Sequence, residues 1–258
     1  MRRSPYAKER PRKLQLIYLA QHKSGSQLIN KLCKRVAATL GCIHFGPNLP
    51  RDSPYYTFNE DLPQSRLWGR ESFLAGPIRL ADFLPPKLDL SRTRTILHLR
   101  DPRDVLVSLY FSEIFSHPST PTFHPEKDWR DEWRNRPIDD FVLMKAPEYL
   151  ERYDRFFELS DKFNLRLKTY EEMVLQPEPY FLDVCRFFKV PESQAGEIVS
   201  EFTKVAARRP PEDKDNHVRK VTPGDHKEKL AAKTVQELDQ SFSHVLRRLK
   251  AAWSEAGL

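Results

Sequence analysis

The sequence predicts an α/β fold, a three-layer sandwich in which a central parallel sheet is flanked by helices. Three apolar segments of strand length, at residues 14–20, 94–99 and 164–168, support this prediction. Each leads into a polar turn and then into a segment whose apolar residues have helical spacing. Strands that alternate with helices form parallel sheets, because each crossover helix returns the chain to the edge where the strand began. Ligands of such sheets bind beyond the carboxyl ends of the strands.

The first strand leads into a turn at residues 21–27 with the sequence QHKSGSQ. A helix follows, with an apolar face that includes Leu28, Ile29 and Leu32. The turn is a candidate anion cradle, because the free N–H groups and the dipole of a helix N-terminus favour negative charge. It is not a Walker A loop, since its lysine precedes its single glycine, so we do not expect a nucleoside triphosphate held with magnesium. The candidate groups are Lys23, Ser24, Gly25, Ser26 and Gln27.

A second strand-to-turn junction carries an arginine. Residues 94–99 run directly into Arg100, and Asp101 suits the N-cap of the helix that follows. Ser108 is then expected two turns into this helix. An arginine with a nearby hydroxyl can bind a phosphate group. The alternative is a structural ion pair between Arg100 and Asp101 or Asp104.

A third cationic element lies in a basic, proline-rich loop near the end of the chain. Arg219 and Lys220 precede a turn at Gly224, just before the last predicted helix. A loop with two cations can close over a bound anion. The alternative is a solvated linker whose charges have no ligand.

The remaining elements follow from apolar periodicity and from chain-breaking residues. Long loops are expected at 46–70, 116–137 and 204–224. Short strands are expected at 42–45 and 73–75. The predicted helices after the first one lie at 79–84, 102–115, 138–145, 147–163, 170–173, 178–188, 193–203 and 226–253.

Length and composition indicate one large domain. We expect a basic arm at residues 1–13 and a single domain at 14–258. The net charge of +7 suits an anionic partner. We see neither a signal peptide nor a membrane span, and an odd number of cysteines indicates reduced thiols, so we expect a cytoplasmic protein. The eight histidines have no metal-ligand spacing, and we expect no metal.

Together these elements resemble the sulfotransferases that use 3′-phosphoadenosine 5′-phosphosulfate (PAPS). In that family a turn with a Lys-Ser-Gly core binds the 5′-phosphosulfate, and an arginine and a serine bind the 3′-phosphate. A Tyr-Glu-x-Met segment, a Ser/Thr-x-Phe element and an Arg-Lys-Gly-x-x-Gly-Asp segment follow, matched by residues 170–173, 200–202 and 219–225. Val221 replaces the first glycine of the last segment. The cofactor-binding residues implied by the resemblance are Lys23, Ser24, Gly25, Ser26, Gln27, Arg100, Ser108, Tyr170, Phe202, Arg219, Lys220 and Gly224.

The resemblance implies a fold of the P-loop-containing nucleotide hydrolase type. It also implies sulfuryl transfer from PAPS to a hydroxyl or amine of a small-molecule, lipid or glycan acceptor, with adenosine 3′,5′-bisphosphate (PAP) as product and no metal. Lys23 would neutralise the leaving phosphate, and the loops at 46–70 and 116–137 would line the acceptor pocket. Nucleic acid is not an expected partner, because the basic arm lacks the motifs of a nucleic-acid-binding module.

The catalytic base is where the sequence departs from the cytosolic members of that family. They carry a Lys-Thr-His segment before the second binding element, and Gly76-Pro77-Ile78 occupies this position here. Other branches use a glutamate from the loop after the first helix. By this analogy Glu60 is the preferred base, ahead of Glu71 and His44. The alternatives are a non-catalytic member that binds the nucleotide and a nucleotide kinase, which the absent Walker A loop argues against.

Overall fold

The computed structural model describes residues 13–46, 71–79, 90–116, 127–208 and 221–258. Within these residues the chain forms a five-stranded sheet whose neighbouring strands are all parallel. The strands are β1 (Gln15–Ala20), β2 (Ile43–Phe45), β3 (Phe73–Ile78), β4 (Arg94–Leu99) and β5 (Arg166–Thr169). Their order in the sheet is β2-β3-β1-β4-β5.

β1 is the central strand, with β3 on one side and β4 on the other. Its apolar run is buried on both faces, as expected for a strand that helices cover from two sides. Leu19 pairs with Ile78 of β3 and with Leu97 of β4. Because the strands are parallel, the residues that follow β1, β3 and β4 are therefore neighbours at one edge, the carboxyl edge of the sheet.

Helices cover both faces of this sheet. They are α1 (Ser26–Leu40), α2 (Pro102–Phe111), α3 (Lys127–Arg134), α4 (Ile138–Phe163), α5 (Tyr170–Leu175), α6 (Pro177–Phe187), α7 (Glu192–Ala206), α8 (His226–Lys229), α9 (Ala232–Ser241) and α10 (Ser243–Glu255). Alternate side chains of β1 point to opposite faces. Ile17 and Leu19 pack with α2, α4, α9 and α10, whereas Leu16 and Tyr18 pack with α1, α6 and α7. The predicted three-layer α/β sandwich is confirmed.

The segment at 116–137, predicted as a loop, contains the helix α3. Trp133 is buried, with its ring centroid 5.4 Å from that of Phe141 in α4. Trp129 and Trp133 have helical spacing and form the apolar stripe of α3. The prolines and charges around them obscure this pattern in the sequence, so the loop prediction is wrong here.

The two helices predicted at 138–145 and 147–163 are one continuous helix, α4, with Pro147 inside it. Proline lacks the backbone donor that a helix interior requires, and in a sequence it indicates a helix end. Phe141 and Tyr153 lie on either side of Pro147 and are both fully buried. Packing of both halves against the same core maintains the helix.

The single helix predicted at 226–253 is divided into α8, α9 and α10. The backbone is extended at Leu230 and Ala231, and Phe242 separates the last two helices. Phe242 is fully buried, with its ring centroid 6.2 Å from that of Tyr153. Phe242 continues the helical spacing of the apolar residues before and after it, which explains why the sequence predicts one helix.

None of the helices in the described residues is long and apolar enough to span a membrane. Cys33, Cys42 and Cys185 are free thiols, as expected from their odd number. Burial raises the pKa of Cys185 to about 11, so this thiol stays protonated at neutral pH.

Candidate anion-binding site

The turn between β1 and α1 lies at the carboxyl edge of the sheet and is shaped by its own hydrogen bonds. The Ser24 N–H donates to the Gln21 carbonyl at 3.2 Å, and the Ser24 hydroxyl donates to the same oxygen. Ser24 is fully buried, so its hydroxyl stabilises the turn and does not face solvent. Lys23 and Gly25 have left-handed backbone conformations, with φ of +66° and +82°. The chain thereby reverses and enters α1 at Ser26.

Gly25 occupies the junction of turn and helix, where a larger residue would strain the backbone and require the Met173 side chain to move. A Cβ there would lie 2.8 Å from Cε of Met173, and left-handed backbone strains L side chains. The Leu28 N–H donates to the Gly25 carbonyl at 3.0 Å, whereas the N–H groups of Ser26 and Gln27 precede the first acceptor that the helix offers. Ser26 is half-buried and Gln27 is exposed, so this end of the helix is accessible from solvent. Such a helix N-terminus favours an anion.

Arg100 brings the second element against this turn. Its Nη1 donates to the Lys23 carbonyl at 3.0 Å, and Nη2 lies 3.7 Å from Oδ2 of Asp104. Its guanidinium carbon lies 4.2 Å from the ring centroid of Tyr170. The structural ion pair considered as an alternative is therefore present, with Asp104 and not with Asp101. The ion pair and the contact with the turn form together, because Nη1 of Arg100 reaches the Lys23 carbonyl and Nη2 reaches Asp104.

Asp104 connects the third element to the second. Its Oδ2 accepts the Gly224 N–H at 2.7 Å, and its Oδ1 accepts the backbone N–H of His226 at 3.0 Å and pairs with Nδ1 of the same histidine at 2.6 Å. The hydrogen bond with His226 and the charge of Arg100 lower the pKa of Asp104 well below its ordinary value, despite its burial. Ser108, half-buried, lies one turn further along the same face of α2. Three segments distant in sequence thus meet at one edge of the sheet.

The Tyr-Glu-x-Met segment begins α5 and supports the turn from the protein interior. Tyr170 is buried, and a Cβ on Gly25 would lie 3.5 Å from its Cε2. Glu171 accepts the Asp101 N–H at 3.1 Å, and burial raises the pKa of Glu171 to about 7. The segment therefore holds both the turn and the start of α2.

Two predicted bases lie away from the turn. Glu71 precedes β3, at the amino edge of the sheet and opposite the turn, and forms an exposed ion pair with Lys13 at 3.9 Å. This position separates Glu71 from Lys23. His44 lies in the outermost strand, β2, and its Nε2 is 3.0 Å from the Gly76 carbonyl. Burial lowers the pKa of His44, and its hydrogen bond to the backbone indicates a structural role.

Phe202 is placed in the hydrophobic core. It is only 2% exposed, and its ring centroid is 5.7 Å from that of Phe181. This side chain has almost no surface to offer a ligand, so the structure argues against a direct contact. Glu60, Arg219 and Lys220 lie outside the described residues.

Sequence reasoning missed a buried hydrogen-bond network beneath the turn. Nε2 of His98, in β4, is 2.9 Å from the Ser24 carbonyl, and Nδ1 is 2.7 Å from the Tyr180 hydroxyl. The Tyr180 hydroxyl also contacts the Tyr18 hydroxyl. His98 is fully buried, and burial lowers its pKa to about 3. A single histidine in an apolar strand gives no sequence signal that distinguishes it from other core residues.

Arg79 is a second missed residue. It directly follows β3 and so lies at the carboxyl edge beside the turn. Its Nε is buried and has no hydrogen-bond partner among the residues that the structure describes, and burial lowers the pKa of Arg79. The sequence predicts that this strand ends at residue 75, and the structure extends it to Ile78. Because the predicted strand is shorter, it does not place Arg79 at the carboxyl edge of the sheet.

Glu113 is the third missed residue. It lies in a π-helical turn, Ser112–Ser116, that continues α2. Its Oε2 is buried, and no described residue forms a hydrogen bond with it. Burial raises the pKa of Glu113, and the charges of Lys145, Lys23 and Arg152 oppose this rise. The carboxylate is therefore close enough to the Lys23 ammonium to be affected by its charge.

The site combines cationic side chains with a helix N-terminus at the carboxyl edge of a parallel sheet. Across the described ranges, no group of three or more His, Cys, Asp or Glu side chains could hold a metal ion. A lysine-containing turn after the central strand, with an arginine from the adjacent strand, defines an α/β protein with a P-loop-like fold.

Comparison with known proteins identifies the family within this class. A family model described as the sulfotransferase domain matches residues 78–250, more than half of the chain. The chain therefore belongs to the sulfotransferase domain family. A comparison with curated protein sequences found no match.

Solved structures with the same fold include three complexes with PAP. Mouse sulfotransferase SULT7A1 complexed with PAP is 16% identical, with a TM-score of 0.64 over 95% of this chain and 90% of that chain. Retinol dehydratase complexed with retinol and PAP is 13% identical, with a TM-score of 0.55 over 91% of this chain and 82% of that chain. Its complex with androsterone and PAP gives 12% identity and a TM-score of 0.55, over 91% and 81% of the two chains. At such identities the likeness establishes the fold.

Proposed function

We propose that this protein transfers a sulfuryl group from PAPS to a hydroxyl or amine of a small-molecule, lipid or glycan acceptor. The observation that carries the proposal is the contact between two cationic elements distant in sequence, in which Arg100 donates to the Lys23 carbonyl. Membership of the sulfotransferase family supports sulfuryl transfer. The complexes of similar proteins with PAP support PAPS as the donor. Retinol and androsterone in the retinol dehydratase structures favour a small-molecule acceptor.

The residues present fit such a donor. In the described part of the chain, Nε of Arg100 is buried without a hydrogen-bond partner, although its other nitrogens contact Lys23 and Asp104. In the proposed site Arg100 and Ser108 hold the 3′-phosphate, and Arg219 and Lys220, which precede Gly224 in the sequence, would add positive charge. Lys23 and the N–H groups of Ser26 and Gln27, at the start of α1, would hold the 5′-phosphosulfate.

The reaction makes one bond and breaks another. Bound PAPS supplies an activated sulfuryl group with a phosphate leaving group. As the acceptor oxygen or nitrogen bonds to sulfur, the bond from sulfur to the bridging phosphate oxygen breaks, and negative charge develops on that oxygen. The Lys23 ammonium would neutralise this charge, and such fixed charges at a partly buried site contribute strongly to catalysis. Positioning of the two reactants supplies much of the rest.

Glu113 is the proposed proton acceptor. Its carboxylate is subject to the charge of Lys23, and burial raises its pKa toward the range useful to a general base. Its buried Oε2, which has no hydrogen-bond partner in the described ranges of the chain, could accept the proton of an acceptor hydroxyl. Glu71 and His44 are less suited, because the first lies at the opposite edge of the sheet and the second bonds Gly76.

The proposal is tested with Lys23→Ala, and with Lys31→Ala, an exposed lysine of α1, as the matched control. PAP binding is measured by isothermal titration. Transfer of labelled sulfate from PAPS is measured against a panel of phenols, alcohols, sterols, amines and glycans. We expect the wild type and Lys31→Ala to bind PAP and to sulfate at least one acceptor. Lys23→Ala should lose about two to three orders of magnitude in turnover, as when a main electrostatic donor is removed.

Equal turnover of Lys23→Ala and the wild type would contradict the role of the turn. A wild type that binds PAP but sulfates no acceptor would favour the second candidate, a non-catalytic nucleotide-binding member of the family. One observation favours that candidate: Gly76, Pro77 and Ile78, which end β3, carry no group that can act as a base. ATP-dependent transfer that requires magnesium would instead indicate a nucleotide kinase.

A further inference from the structure

Beneath the proposed binding turn, three buried side chains form a hydrogen-bonded chain that ends on the turn itself. The chain runs from Tyr18 in β1 through Tyr180 in α6 to His98 in β4, and from His98 to the Ser24 carbonyl. Tyr18 and His98 are fully buried, and Tyr180 is 1% exposed. The backbone carbonyl of His98 also accepts the Gln21 N–H at 3.0 Å. The same strand residue therefore contacts two positions of the turn.

The protons in this chain can be assigned from its chemistry. The Ser24 carbonyl only accepts, so Nε2 of His98 must carry a hydrogen and donate. Burial keeps His98 neutral, with a pKa of about 3, so Nδ1 has no hydrogen and accepts from Tyr180. The Tyr180 oxygen then accepts from Tyr18. Each hydroxyl thus supports the tautomer of His98 that donates to the turn.

The orientation of the Ser24 carbonyl determines the orientation of the next N–H group. A peptide bond is planar and trans, so the Gly25 N–H is antiparallel to the Ser24 carbonyl. Because His98 draws this carbonyl toward the protein interior, the Gly25 N–H points away from His98. We propose that His98 is a positioning residue that turns the Gly25 N–H toward the bound 5′-phosphosulfate. The inference rests on the proposed function of the turn.

Two substitutions of His98 separate positioning from simple core stability. Glutamine places an amide nitrogen near the position of Nε2, so His98→Gln can still donate to Ser24. Asparagine is shorter, so His98→Asn can accept from Tyr180 but cannot reach the Ser24 carbonyl. Tyr180→Phe removes a hydrogen bond of the same chain and leaves the contact with Ser24. All three variants alter one buried polar network, and thermal unfolding measures their stability.

PAP affinity, measured by titration, distinguishes the three variants without knowledge of the acceptor. We expect His98→Asn to bind PAP at least about tenfold more weakly than the wild type, the scale of one well-placed hydrogen bond to a charged ligand. His98→Gln and Tyr180→Phe should stay within about threefold of the wild type, even where their melting temperatures fall. In sulfuryl-transfer assays, His98→Asn should lower kcat by a larger factor than it raises KM for the acceptor.

Three outcomes would overturn the inference. His98→Asn could bind PAP as tightly as the wild type, or His98→Gln could lose as much affinity as His98→Asn. Affinity could also fall in proportion to stability in all three variants, which would indicate a purely structural network. A wild type that does not bind PAP would refute the proposed function itself, and this inference with it. Normal wild-type binding with unaffected variants would refute only the role of His98.

Discussion

The substitution Asp104→Asn tests how three distant segments are held together at the site. Asp104 is 1% exposed and accepts hydrogen bonds from the backbone N–H groups of Gly224 and His226. It also pairs with the imidazole of His226 and lies 3.7 Å from Nη2 of Arg100. Asparagine has nearly the same size, but it has no charge and presents an amide donor to these donors. The variant therefore leaves Arg100 buried without its carboxylate partner.

Loss of one partner from a buried charge pair costs about 3–5 kcal/mol. For a domain of this length that corresponds to a fall in melting temperature of roughly 6–20 °C. PAP affinity should also fall, because the segment after Arg219 and Lys220 loses its anchor on α2. The matched control is Asp139→Asn, which alters a half-buried carboxylate that accepts the Ala231 N–H at 2.9 Å in a solvent-exposed hydrogen bond. We expect its effect to stay below about 1 kcal/mol.

The pH dependence of this loss has a definite sign. The pKa of Asp104 in the folded protein lies well below its ordinary value of 3.8. A carboxylate with a depressed pKa contributes stability that is fully present above its unfolded-state pKa and lost as the pH falls toward the folded-state pKa. The stability difference between wild type and Asp104→Asn should be constant from pH 5 to 8, roughly, and should shrink below about pH 4.

Thermal unfolding monitored by circular dichroism across this pH range, followed by PAP titration, measures these effects. A melting temperature of Asp104→Asn within about 2 °C of the wild type would refute the reasoning. A difference that grows on acidification would also refute it, because the sign of the linkage would be reversed.

Two further predictions concern the turn and the proton acceptor. Gly25→Ala should cost about 1–2 kcal/mol in backbone strain. It should also weaken PAP binding, since its Cβ would lie 2.8 Å from Cε of Met173. The control is Gly41→Ala, with φ of +62° and no atom within 4 Å of the added Cβ, which should lose stability but not PAP affinity. Equal PAP affinity of both variants would contradict this. Glu113→Gln should bind PAP normally and lose about 10²–10⁴-fold in turnover. In the wild type, the acid limb of the pH–rate profile should lie above pH 4.5, the ordinary pKa of a glutamate, and this limb should be absent in Glu113→Gln. If Glu113→Gln were as active as a Glu148→Gln control, Glu113 would be excluded as the base.

Much of the fold was predictable because its signals are local. The apolar runs of β1 and β4 and the polar turns after them indicate buried parallel strands. The N-cap at Asp101, whose side chain accepts the Arg103 N–H, was predicted from residue type and is confirmed. The errors occurred where tertiary packing overrides local preference. Burial of Phe242 breaks the C-terminal helix, and packing on both sides of Pro147 preserves α4.

The site is predictable to a different extent for each kind of residue. The turn and Arg100 lie in linear patterns that combine a strand end with charge, and the structure brings them into contact. Asp104 joins Arg100 to the segment at Gly224 and His226, but the sequence indicates only that it could form an ion pair with Arg100. His98 could not be found, because a polar residue in a buried strand acquires its role from partners more than 70 positions away. Sequence patterns therefore identify residues that contact a ligand more readily than they identify the residues that position those contacts.

The position of the proton acceptor follows from the geometry of two strand ends. β3 ends beside β1, but its last residues, Gly76 to Ile78, cannot take a proton. β4 ends at Arg100, and the helix that follows carries Ser108 and then continues into the π-helical turn with Glu113. In the proposed mechanism one continuous element therefore extends from the 3′-phosphate to the acceptor. Movement of α2 on nucleotide binding would alter the position of Glu113 as well, so PAP should protect the amides of both α2 and residues 112–116 from hydrogen exchange. Protection of α2 alone would separate Glu113 from the nucleotide site and would favour Glu60 as the base.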